Sequence, residues 1–349
     1  KYFFPEVIDG FDIVIGNPPY VSNKELLKED KINYEKIFKV AVGQYDLFNL
    51  FIEQSIKLLN KNGAHSFIIP DSFLGRSTFK KCRLFFFDNL ACNSILHFNK
   101  VFDEAVVSSI VYTAYKSPNL TKNQVEYLKS ETVNDWQNGI FSIIHFEQGL
   151  VKDNIDAKVL HLDNKKLRIL KKIFSGKVAL EESSVLWRGE EIGKNAEILD
   201  NNSGKGKLKI LSGSNISKYM IKGEIKYIPK AEVEKSLELY NSRKIGVRQL
   251  GDTINATLVI DGEITNQSVY NIIPNNIPAE FLLGILNSKI VDFIYQSVFR
   301  EKMEFPRILL ENLKLIPVPN VEFKQQKPFI TLVDKIISAK KKNKDTTDL

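Results

Sequence analysis

The apolar positions in the first 116 residues switch between two spacings, and the switches predict the elements there. Phe11–Ile15 is a short, β-branched apolar run, and Gly16-Asn17-Pro18-Pro19 follows it directly. A proline pair continues neither a ladder nor a helix, so a strand must end there in a fixed loop. Over residues 45–59, Leu47, Phe48, Phe51, Ile52, Ile56 and Leu59 recur three or four apart. That spacing predicts an amphipathic helix, with Gly63 as its stop. Ser66–Ile69 reads as the next buried strand, closed by Pro70, and Asn93–Phe98 and Ser108–Tyr115 read as two more. Strand and helix in this alternation predict an α/β sheet with a mainly parallel core.

Residues 117–150 are polar and read as irregular. From Lys158 to Phe174 a helical pattern returns through Leu160, Leu167, Leu170 and Ile173. After about residue 180 the texture changes to short strand-like runs, Gly and Asn turns and scattered basic residues, with one helix expected at Ala279–Ser297. A last helix is expected from Lys324, ending in Lys340-Lys341-Lys342-Asn343-Lys344, which is either a solvated tail or a phosphate contact. The expected segments are 1–150 (α/β), 151–179 (linking helix), 180–323 (mixed α+β) and 324–349 (basic helix or tail).

Composition narrows the class. The chain has 349 residues, 43% hydrophobic and 26% charged, enough for a real core and for roughly two domains. Lys plus Arg is 49 against 42 acidic residues, a net +7 that favours a polyanionic partner over an acidic small substrate. Cys82 and Cys92 share one apolar stretch, and His65, His97, His145 and His161 are scattered. Neither a disulfide framework nor a protein metal cage is expected, and no metal is assigned. No apolar run reaches the roughly 18–20 residues of a membrane span, and no secretory leader is visible, so a cytoplasmic protein without a membrane partner is expected. The start at Lys1, running at once into dense apolar sequence, reads as a piece of something longer.

Asn17-Pro18-Pro19-Tyr20 carries the chemistry. It stands at the C-terminal end of a strand, where open α/β sheets place their ligands. The Asn side-chain oxygen and the carbonyl of the following Pro are acceptors side by side, and together they match the two protons of an amino group. Proline holds that pair in place before any reaction begins. Tyr20 offers a flat face to a planar ring, a contact worth roughly 1–3 kcal/mol per base. An aromatic amine is a poor nucleophile because its lone pair is delocalised. Accepting both its hydrogen bonds favours a tetrahedral nitrogen and stabilises the positive charge that develops on methylation. The alternative is a Pro-stiffened turn.

Phe11 to Val21, with its Asn-Pro-Pro-Tyr core, resembles the catalytic motif of the gamma-class N(6)-adenine DNA methyltransferases, the TaqI-like group. It is particularly similar to the methylase part of fused type II, type IIG-like, restriction–modification enzymes, whose lead-in Phe4-Pro5-Glu6-Val7 matches. In order, Tyr45-Asp46-Leu47-Phe48 with Phe51, Phe67-Ile68-Ile69-Pro70, and Val101-Phe102 ahead of Val106–Tyr112 continue the resemblance. It implies a partial Rossmann-like methyltransferase domain holding the later strands of the sheet, followed by a target-recognition domain. It further implies that Asn17 and Pro18 hold the target amino group, Tyr20 and Phe102 sandwich the flipped adenine, and Phe51 touches S-adenosylmethionine. Phe51 is otherwise core packing.

The family binds its methyl donor through a Gly-rich loop and two acidic residues upstream of this motif, and only sixteen residues precede Asn17. Gly204-Lys205-Gly206 is far downstream and reads as a turn. The expectation is therefore an incomplete cofactor site, an unpaired sheet edge and a fragment inactive alone. Residues 180–320 resemble the family's recognition domain through Gly193-Lys194-Asn195, Leu211–Ile216, Val247-Arg248-Gln249, Asn287-Ser288-Lys289, Phe305-Pro306 and Leu315–Pro319. Arg248, Gln249, Lys289 and Arg307 are the candidates for contact with double-stranded DNA, against the alternative of turns and solvated surface. A nuclease, if one exists, is expected outside this chain. Two other readings stay open: a DNA-recognition module without catalysis, and a methyltransferase acting on glutamine or ribosomal RNA.

Overall fold

A computed structural model describes residues 7–101, 108–117, 121–192, 196–260, 262–300 and 306–346. The chain divides into two compact units, Lys1–Lys172 and Ile173–Leu349. The first contains β1 (Phe11–Gly16), α1 (Lys28–Ile37), α2 (Leu47–Leu58), β2 (Leu59–Pro70), α3 (Ser72–Gly75), α4 (Lys80–Asn89), β3 (Ala91–Lys100), β4 (Ser109–Tyr115), β5 (Gln124–Thr132), α5 (Val133–Gln137) and β6 (Ser142–Glu147). The helix α6 (Asn164–Phe174) runs across the boundary between the units.

The strands form one sheet in the order β1-β2-β4-β3-β5-β6. The α/β class holds, but the pairing is mixed and not mainly parallel. Only β1/β2 and β3/β5 run parallel; β2/β4, β3/β4 and β5/β6 are antiparallel. The cause is the length of the connections. A parallel return needs a crossover of about a dozen residues or more, and the segment from Lys100 to Ser109 is too short for one.

Residues 117–150 are not irregular: they hold β5, α5 and β6. Val125 and Tyr127 are buried at every second position of β5, but charged neighbours mask that alternation in the sequence. Gly63 does not stop α2 either. It lies inside β2, where Phe11 pairs with Leu59 but Ile13 with Ala64, so β2 bulges. A Cβ on Gly63 would sit 2.9 Å from the Phe11 carbonyl oxygen, which accounts for glycine there.

Aromatic side chains pack the helices onto the core. Phe48 of α2 lies edge-on to Phe79, the residue before α4, at 5.3 Å, and Phe86 of α4 lies edge-on to Tyr112 of β4 at 4.8 Å. Arg83 of α4 is fully buried, and its guanidinium donates to the carbonyls of Phe73, Arg76, Asp156 and Ala157 at 2.7–3.0 Å. Burial lowers its pKa to about 10, so it keeps its proton at neutral pH while pinning the turn after α3 to the segment before α6.

In the second unit, Ala256–Val259, Lys244–Arg248, Val269–Pro274 and Ser184–Arg188 form an antiparallel sheet in that order. A smaller sheet holds Lys226–Pro229, Lys207–Leu211 and Ile264–Thr265. Gly206, at φ +77°, is in the turn before Lys207–Leu211. The helix expected at Ala279–Ser297 is broken: Ala279–Leu286 and Lys289–Ile294 are separate helices, with Ser288 capping the second. Phe323–Lys341 is the final helix. Among the described residues, no helix is long and apolar enough to cross a membrane.

Candidate functional site

β1 leaves its sheet at Gly16, opposite Phe67 of the parallel β2, which runs on to Pro70. The loop after Gly16 thus lies beside the continuing end of β2. Leu47 N donates to the Val21 carbonyl at 2.8 Å, Asn23 N donates to the Tyr45 carbonyl at 2.9 Å, and Ser22 bridges Asp46. Two prolines and these ties hold the loop at both ends. Pro18 is buried, whereas Asn17 is exposed, and its side-chain amide makes no hydrogen bond among the described residues. The amide is open to a ligand on a stiff backbone.

Tyr20 donates its phenol proton to the Ile68 carbonyl at 3.1 Å, with its ring edge-on to Phe48 at 6.5 Å. Partial burial raises its pKa, opposed by the Ser109 hydroxyl. Phe51, one turn along α2 from Phe48, is 47% exposed, so it is not core packing. Asn17, Pro18 and Tyr20 are brought together, and Tyr20 touches the helix that carries Phe51. Phe102 lies outside the described residues.

Charged groups that the motif reading passed over also stand here. Asp46 caps α2 directly beneath the loop; burial raises its carboxyl pKa, while Arg76, at 3.9 Å, and the Ser22 hydroxyl pull it down. Asp71, the residue after β2, accepts from His97 Nε2 at 3.2 Å, and His97 Nδ1 is 2.9 Å from the Tyr127 hydroxyl. Asp46 was visible as the polar member of Tyr45-Asp46-Leu47-Phe48. Nothing in the sequence linked Asp71 to His97, because their proximity depends on strand order. Among the described residues, no group of three His, Cys, Asp or Glu side chains is placed to hold a metal ion.

The second unit gathers its candidates at one end of its larger sheet. Val247 pairs with Ala256, Arg248 with Val269, and Arg188 with Tyr270, so Arg188 and Arg248 leave the sheet at the same end. Leu250 bridges Arg307, and the Asn287 amide bonds both backbone groups of Ala256 at 3.0 Å, two residues before Lys289. Arg248, Lys289 and Arg307 have no ion-pair partner among the described residues. Gln249 turns inward instead: it is buried and donates to the Tyr270 hydroxyl at 2.8 Å. Strand alternation explains this, since Arg248 and Gln249 face opposite ways. Arg188, not singled out in the sequence, donates to the Gln267 carbonyl and pairs with Glu191. Gly193-Lys194-Asn195 and Phe305 lie outside the described residues.

Residues 1–102 match the family described as Eco57I restriction-modification methylase, and residues 208–318 match the TaqI-like C-terminal specificity domain. A protein of Methanocaldococcus jannaschii, provisionally named a type II restriction enzyme and methyltransferase, is 25% identical over 338 residues, 89% of this chain and 27% of that protein. A type II methyltransferase of Geobacillus stearothermophilus, M.BstVI, is 32% identical over 126 residues, 35% of this chain and 22% of that one. The chain therefore spans about a quarter of the length of these relatives. The structure of the type IIL restriction-modification enzyme MmeI in complex with DNA shares the fold, at a TM-score of 0.56 and 13% identity, over 95% of this chain and 49% of that one. The Asn-Pro-Pro-Tyr loop lies within the stretch similar to the Eco57I restriction-modification methylase, and Arg248, Lys289 and Arg307 lie within the stretch similar to the TaqI-like C-terminal specificity domain.

Proposed function

We propose that this chain provides the target-base site and the DNA-reading surface of a site-specific DNA methyltransferase, acting on the exocyclic amino group of a flipped adenine in a restriction–modification system. The observation that carries the reading is the Asn17 amide, which makes no hydrogen bond among the described residues, beside the buried Pro18, with Tyr20 next to it. Asn17 Oδ1 and the Pro18 carbonyl accept from the amino group and orient its lone pair, and the Tyr20 ring stacks on the base. No covalent intermediate is needed; positioning and electrostatics suffice. A base within a duplex must leave the stack to enter such a site, which costs a few kcal/mol. Arg248, Lys289 and Arg307, which have no ion-pair partner among the described residues, engage the DNA.

S-adenosylmethionine, when bound, supplies the electrophilic methyl group. The half-exposed ring of Phe51 fits its adenine. β1 is a sheet edge whose Ile15 is 78% exposed, which supports a cofactor site completed by further strands outside these residues, and a chain inactive alone. The test is transfer of labelled methyl from S-adenosylmethionine to duplex DNA by the intact gene product. The expected product is N(6)-methyladenine. Methylglutamine or methylated ribosomal RNA would overturn the substrate, and DNA binding without any transfer would favour a pure recognition module.

A further inference from the structure

We propose that Asp71, oriented by His97, takes the proton that the amino group releases on methylation. This rests on the reading above. That chemistry leaves a need which the Asn17 loop does not meet. As the nitrogen–carbon bond forms and the carbon–sulfur bond breaks, sulfur keeps the electron pair and nitrogen becomes positive. One N–H proton must then leave, with nitrogen retaining that pair. Asn17 and Pro18 offer only neutral acceptors, which hold a proton but do not remove it.

Asp71 is placed to do so. β1 and β2 are parallel neighbours, so the loop after Gly16 and the residue after Pro70 leave the sheet at the same end. Tyr20 ties the two together through the Ile68 carbonyl at 3.1 Å, and Ser109, opposite Pro70, adjoins the Ser108 carbonyl that accepts from Asp71 N at 3.0 Å. The Asp71 side chain is 32% exposed, whereas that of His97 is 7% exposed. The carboxylate therefore meets solvent or a ligand while the imidazole stays behind it.

The backing is a built network. Burial pushes the Tyr127 phenol up, so it keeps its proton and can donate to His97 Nδ1. Nε2–H is then left to donate to Asp71. Among the described residues, the His161 ring, edge-on to Tyr127, and Lys129 of β5, which pairs with His97 across the sheet, also stand near it. The proton passes from nitrogen to an Asp71 oxygen, directly or through one water. His97 and Tyr127 are positioning residues.

The experiment compares kcat and KM for methyl transfer by the intact gene product and its variants. Asp71→Asn, which keeps the shape of the side chain, should lower kcat at pH 7 by at least about 10-fold. It should leave DNA affinity and KM unchanged, and Asp71→Glu, which keeps the carboxylate, should recover part of the rate. His97→Gln should lower kcat by a smaller factor at unchanged KM, a split that a purely structural contact would not produce. A wild-type kcat in Asp71→Asn would overturn the proposal. So would a wild-type kcat in His97→Gln should Asp71→Asn fail to fold. If the wild type itself transfers no methyl to adenine, the function reading fails, which is a separate result.

Discussion

At the Asn17 end of the first unit, the groups that would touch a base sit on one short loop. At the Arg248 end of the second unit they arrive from strands and loops far apart in sequence. Arg188 ends one strand, Arg248 another, Arg307 bridges Leu250, and Lys289 follows an Asn287 bonded to Ala256. The first arrangement takes its rigidity from covalent geometry, because two prolines fix the backbone locally. The second takes it from sheet closure, so it is only as firm as the tertiary structure beneath it. A change in the loop should therefore damage chemistry and spare folding, whereas changes at the other end should couple recognition to stability.

The largest expected effect tests the first half of that contrast. Asn17→Ala removes one of the two acceptors and should lower methyl transfer by at least about 100-fold, the scale seen when one preorganised hydrogen-bonding group is lost. The melting temperature and DNA affinity should stay those of the wild type, since the exposed amide makes no internal hydrogen bond among the described residues. Substantial transfer by this variant would refute the assigned role.

Acid should separate the units next. All four histidines lie in the first unit. Burial lowers the pKa of His65 to about 4 from 6.5, and it stays neutral with Nε2 2.6 Å from the Ser55 hydroxyl. The unfolded chain takes up a proton near pH 6.5 that the folded one refuses. This contribution is therefore complete above that pH and is lost as pH falls towards 4, by up to about 3 kcal/mol. His161, lowered by burial and then by Lys129, acts in the same direction. Trp136 reports on the first unit and Trp187 on the second. Single-tryptophan variants should show the Trp136 signal melting earlier between pH 6.5 and 4 while Trp187 changes little. His65→Gln should flatten that dependence.

Gly189 tests the second half of the contrast. A Cβ there would lie 2.3 Å from the Asn266 carbonyl oxygen and 2.4 Å from that of Thr265, both backbone atoms with little room to yield. Gly189→Ala should cost about 1–3 kcal/mol, read as an earlier Trp187 melt, and should weaken DNA binding with it. Unchanged melting with lost binding would mean that the recognition end does not depend on sheet closure.

What the sequence showed of each site follows the same division. Asn17-Pro18-Pro19-Tyr20 was legible because neighbours in sequence are neighbours in space, and prolines allow few backbones. The strands β1 to β4 were legible because their apolar runs are dense. β5 and β6 were missed because polar and charged residues interrupt their apolar positions, and Gly63 was misread because a bulge and a helix stop call for the same residue. Phe51 was ambiguous: its spacing fits the apolar stripe of α2, yet its ring is half exposed, which spacing alone does not reveal. The Asp71–His97–Tyr127 chain crosses three strands whose order no local pattern encodes.

The smallest effects test which residues of the second unit face DNA. Arg248 and Gln249 are adjacent, yet one is free of ion pairs among the described residues and the other is buried against Tyr270. If Arg248 and Arg307 each neutralise one phosphate, Arg248→Ala and Arg307→Ala should each lower the slope of log affinity against log salt by about 1, because each releases about one counterion fewer. The double variant should lose about twice as much. Gln249→Ala should leave that slope unchanged while costing about 1 kcal/mol of stability for the lost Tyr270 hydrogen bond. An unchanged slope in both arginine variants would place the phosphate contacts elsewhere, with Lys289 and the basic end of Phe323–Lys341 next to be tested. A base contact would read differently again, as affinity lost at one position of the recognition sequence only.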